Sequence, residues 1–105
     1  MVIEFLTFEI DPGELDEWLA VDARTWTAFL ARQDGFVSKQ IWTGRDTPCV
    51  VHAVITWRDE AAWTSIAPAD LAAVDASMGT WLRAPTCHTF DVVDGARRVG
   101  VRPGG

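Results

Sequence analysis

Four short runs of β-branched and aromatic residues, 2–10, 36–43, 49–57 and 86–93, alternate with two longer stretches of helical spacing and one tight turn. That order limits the fold more than any other feature of the chain. The first run, buried largely on both faces, ends at Asp11-Pro12-Gly13, where Asp11 can cap a helix and Pro12 suits its first turn. The spacing predicts a helix from there to about Gln33, stopped by Asp34-Gly35. Residues 44–48 are rich in turn formers, so the second and third runs form a hairpin. Asp59 starts a second helix, Pro68 interrupts it near Ala67, and it resumes to about Arg83 before Pro85 ends it.

The order β-α-β-β-α-β predicts an α+β, ferredoxin-like domain over residues 1–94. Its four-stranded antiparallel sheet would carry both helices on one face. Residues 95–105 contain Arg97, Arg98 and Arg102 among glycines, and are expected to be a flexible C-terminal tail. The other sheet face is apolar too, and a homodimer packed sheet to sheet is the simplest cover for it. A net charge of −6 argues against a nucleic-acid partner and against anionic membranes. No apolar run approaches the ~20 residues of a membrane span, and the N-terminus has no basic leader pattern, so a cytoplasmic location is expected. Cys49 and Cys87 form no CxxC pair and are expected to be reduced, buried thiols.

At 100° per residue, Leu15, Trp18, Leu19, Trp26, Phe29 and Leu30 form one apolar stripe on the first helix, with Asp22 in its middle. A buried carboxylate is costly unless it is paired or hydrogen-bonded. Either Asp22 bonds a backbone group or an arginine, or opens to water, or it is a pocket acid or base. Glu4, between Ile3 and Phe5, is a second out-of-place carboxylate. His52 lies in the middle of the third strand, and such a histidine is either packed or functional. Six tryptophans and no tyrosine fill a core or line a cavity for a flat aromatic ligand. No nucleophile, phosphate-binding or metal motif is present, and no metal or bound cofactor is expected.

Met1-Val2-Ile3-Glu4, Asp22-x3-Trp26-Thr27, Gly35-Phe36, Lys39, Trp42, Val54-Ile55-x-Trp57, and Trp63 with Ile66 resemble a small family described from cyanobacteria. That family belongs to the dimeric α/β-barrel superfamily, alongside the antibiotic-biosynthesis monooxygenases. The resemblance covers roughly residues 1–66 and implies a dimeric α/β barrel. Haem-degrading members of the superfamily use an Asn on strand 1 and a Trp and His on helix 2. This chain has no Asn in strand 1 and no His over 59–83, so haem degradation is disfavoured. Quinone-forming, cofactor-free members use pocket residues that include Tyr, which this chain lacks. Polyketide cyclases of the same fold use histidines on strands 1 and 3 and helix 2. Glu4 stands near the first of those positions and His52 near the second, where a one-residue slip would reverse its face.

The expectation is a small-molecule enzyme, a cofactor-independent monooxygenase or cyclase, acting on an aromatic or polyketide-like substrate. Asp22, His52 and Glu4 are its candidate catalytic residues. Trp26, Trp63, Trp18 and Phe29 are its candidate substrate-binding residues. A non-catalytic homodimer that binds an aromatic metabolite, or a structural or interaction protein, is the alternative.

Overall fold

A computed structural model of the chain describes residues 1–96. Residues 97–105 of the expected tail, with Arg97, Arg98 and Arg102, lie outside the described residues.

Strands β1 (Val2–Glu9), β2 (Phe36–Gly44), β3 (Thr47–Trp57) and β4 (Thr86–Asp91) form one antiparallel sheet in the order β2-β3-β1-β4. The β2–β3 hairpin turns on Arg45 and Asp46, tighter than the predicted turn, and β4 ends two residues early. The first helical run opens with a 3-10 turn, Pro12–Glu14, in which the Asp11 carboxylate accepts the Gly13 N–H at 2.8 Å. It continues as α1 (Leu15–Asp22), a π turn (Ala23–Thr27) and α2 (Ala28–Leu30). The second run holds α3 (Glu60–Thr64), whose first turn the Asp59 side chain caps at Ala62 N, and α4 (Pro68–Ser77). The break at Pro68 is as the sequence requires. The helix then ends at Ser77 and a 3-10 turn, Gly79–Trp81, follows, because Gly79 takes φ 59°.

The helices cover the sheet face that carries Leu6, Phe8, Val51, Ile55 and Trp57. Two apolar clusters form there. Trp18, Val21, Val51, Ile10 and Met78 make one, and Leu30, Ile55, Trp57 and Ala62 make the other. Trp26 packs against both. Cys49 and Cys87 are free and both exposed, contrary to expectation. Cys49 lies beside the hairpin end of β3, and Cys87 lies on the edge strand β4.

Candidate functional site

The register places the polar residues of the site before any helix is considered. Ile55 of the central strand β3 pairs with Lys39 on one side and with Glu4 on the other. Residues paired across neighbouring strands share a face, so Lys39, Ile55 and Glu4 form one row under the helices. Lys39 and Glu4 are then two strand spacings apart, about 10 Å at the backbone. Their side chains converge on a cavity of ≈ 290 Å³ between sheet and helices. Trp18, Trp26, Trp57 and Trp63 line it with Leu6, Phe8, Leu30 and Ile66, while Asp75, Leu82, Arg83 and Pro85 line the side formed by the second helical run and its exit. An aromatic, mostly apolar hollow with a few convergent polar groups is the usual form of a small-molecule site.

Asp22 enters from the helix. Its Oδ2 receives Lys39 Nζ at 2.5 Å, and the two side chains are only 8% and 5% exposed. Lys39 also donates to Thr27 Oγ1 at 2.8 Å. The carboxylate in the apolar stripe is therefore satisfied by a buried lysine, a cation like the arginine that was one of the partners open to it. The π turn aligns this side of the site. Ala28 N–H reaches back five residues to Ala23 O, and the Thr25 hydroxyl donates to Val21 O at 2.7 Å. In a regular helix each step of four residues drifts by about 40°. The wider π turn takes up that drift, so Trp18, Asp22, Trp26 and Leu30, spaced by four, all face the cavity.

Glu4 differs from Asp22. Its carboxylate accepts the Trp57 indole N–H at 3.1 Å. Burial pushes its pKa up from 4.5, while the Trp57 hydrogen bond and the positive charge of Lys39 offset part of the rise. The result is a carboxyl in the cavity that holds its proton more tightly than usual.

Two predicted site residues fall elsewhere. Phe29 does not line the cavity. The π turn rotates it aside, and it packs edge-on to Trp26 with ring centroids 6.0 Å apart. His52 is on the opposite face of the sheet, since it pairs with Thr7 rather than with an even-numbered residue of β1. There its ring hydrogen-bonds Thr7 Oγ1 at 3.0 Å and lies 4.8 Å from Phe5. The other predicted residues, Asp22, Glu4, Trp18, Trp26 and Trp63, do meet around one hollow. Lys39 was not singled out as a site residue by its sequence context. One signal pointed to it: a buried carboxylate needs a cation, and this is the chain's single lysine. Among the described residues no group of three His, Cys, Asp or Glu side chains could hold a metal ion. The buried Trp18 indole N–H has no hydrogen-bond partner among them.

A family model described as antibiotic biosynthesis monooxygenase matches residues 1–66. No curated protein matches the sequence. Among solved structures, SnoaB of Streptomyces nogalater, a cofactor-independent oxygenase seen as a mutant, is 26% identical, with TM-score 0.66 over 92% of this chain and 95% of its own. A monooxygenase from the gene ActVA-Orf6 of Streptomyces coelicolor, in complex with the ligand Nanaomycin D, is 15% identical, with TM-score 0.73 over 93% and 92%. At that identity the second likeness is one of fold.

Proposed function

The chain belongs to the antibiotic biosynthesis monooxygenase family, and from that premise we propose that, as a homodimer, it oxygenates a hydroxylated aromatic or polyketide-like molecule held in the cavity. The observation that carries this is the Glu4 carboxyl, half-buried in the tryptophan-lined cavity and held by Trp57. Glu4 takes the proton of the substrate hydroxyl, leaving an electron-rich anion between Trp26 and Trp63. That anion reacts with dioxygen. One oxygen atom enters the ring, the other leaves as water with the two hydrogens the substrate loses, and a quinone remains. Indole walls hold the ring flat and keep bulk water from the reacting anion. Asp22, locked to Lys39, fixes the polar end of the cavity rather than acting as the base. The oxygenase named among the similar structures, SnoaB, supports dioxygen as the oxidant.

Oxygen uptake with a panel of phenols, naphthols and anthrones tests this. One dioxygen should be consumed per quinone formed. The protein should be required, and Glu4→Gln should slow the reaction by the roughly 10²–10⁴-fold that a general base contributes. Ligands that bind without any uptake would instead make the protein a non-catalytic binder of aromatic molecules.

A further inference from the structure

Lys39 is buried because its partner is: the Asp22 side chain is only 8% exposed, so the ammonium that neutralises it sits inside the protein, where an ion pair bears a desolvation penalty. The Lys39 side chain is 5% exposed, and the residue lines the cavity. Among the described residues its side chain donates to Asp22 Oδ2 and Thr27 Oγ1, two partners for an ammonium with three N–H bonds. It stands in one cross-strand row with Glu4, with Ile55 between them. A hydroxyl oxygen placed over Ile55 stands between the Glu4 carboxyl and the Lys39 ammonium.

We infer that Lys39 binds the ionised oxygen of the substrate, so that the cavity selects molecules carrying an acidic ring or enol hydroxyl and stabilises them as anions. The inference rests on the function proposed above. When Glu4 takes the proton, its negative charge passes to the substrate oxygen, and the electron pair of the broken O–H bond stays on that oxygen. The total charge of the site is unchanged, and the cation that had faced Glu4 faces the new anion. Asp22 keeps Lys39 oriented and Thr27 fixes its second donor. The charged groups around this ammonium are Asp22 from α1 and Glu4 from β1, with Asp75 of α4 and Arg83 also lining the cavity. An opposite charge within about 4–6 Å commonly lowers the pKa of an acid by 1–3 units.

The test uses 1,2-dihydroxyanthraquinone, whose visible absorption changes on ionisation, titrated with pH free and bound to the intact protein. Bound to the wild type, its ionisation midpoint should fall by about one unit or more, a tenfold shift toward the anion. The shift should persist in Lys39→Arg. It should vanish in the double variant Asp22→Asn with Lys39→Met, which removes both charges and leaves none stranded. A wild-type midpoint equal to that of the free probe overturns the inference, whether or not the variants fold. A shift that survives in a folded double variant overturns it as well. Binding without a shift leaves the proposed function standing, whereas failure of the probe to bind the wild type counts against both.

Discussion

Glu4 and Asp22 are both carboxylates lining the same cavity, and their neighbours differ. Asp22 is committed to a cation at 2.5 Å. Glu4 has one neutral indole donor, and burial raises its pKa from 4.5. Its folded-state value is raised, so its stabilising contribution is full below 4.5 and is lost as pH rises through the folded value. Glu4→Gln keeps an acceptor for Trp57 and removes that loss. Its melting temperature should therefore gain on the wild type as pH rises from the acid side toward neutrality, while the acid limb of the activity profile disappears. Parallel melting-temperature curves for the two proteins would show that Glu4 is not desolvated as described. Glu4 was legible because a carboxylate between Ile3 and Phe5 breaks an apolar run. Lys39 was less so, because Ser38 and Gln40 around it read as a solvated strand. His52 misled because strand register was unknown, and one residue of register decides the face.

The order of the elements follows from punctuation that acts locally. Asp11-Pro12, Asp59 and Pro68 each act through one cap, one fixed φ or one missing N–H, and each stands where a helical segment begins. The π turn and the irregularity between Phe36 and Ser38 in β2 were not legible. Each inserts one residue into a regular period, and what favours it is packing against another element. The irregularity puts Phe36 on the helix-covered face with Lys39, against Trp57 at 5.9 Å between ring centroids. Gly35 shows such a dependence directly. It takes φ 83°, and a Cβ there would lie 2.3 Å from Ala62 Cβ at the start of the second helical run. Gly79 also has a positive φ, 59°, but nothing lies within 4 Å of where its Cβ would be. Gly79→Ala should cost only the left-handed backbone penalty, about 1–2 kcal/mol. Gly35→Ala should cost more, about 2–4 kcal/mol, since the helix must also move. Denaturant midpoints compare the two, and equal losses would mean that the contact with Ala62 yields freely.

Across the whole molecule, the sheet face turned away from the helices is the unfinished part. Phe5 stands at its centre, with Trp42 at 6.1 Å, Phe90 at 5.8 Å and His52 at 4.8 Å between ring centroids. Trp42 is 48% exposed and Phe90 53%, and Ile3 and Val54 line the shallow groove between them. Clustered aromatic surface of this kind favours association, because water removed from it contributes roughly 25 cal/mol per Å². A second copy would present the same face, and a two-fold axis would set the two sheets against each other without leaving a further site open. The expected mass in sedimentation is therefore twice the 11.6 kDa of one chain. Trp42→Glu would put a charge into the seam of each subunit, facing its symmetry mate, and should shift the species toward the single-chain mass. The cavity lies on the other side of the sheet and is lined by neither Trp42 nor Phe5. Binding of an aromatic probe should then persist in the monomer, weakened only as far as the sheet loosens. A wild type that sediments as a monomer at micromolar concentration would mean that something other than a second copy covers this face. A dimer untouched by Trp42→Glu would place the seam elsewhere.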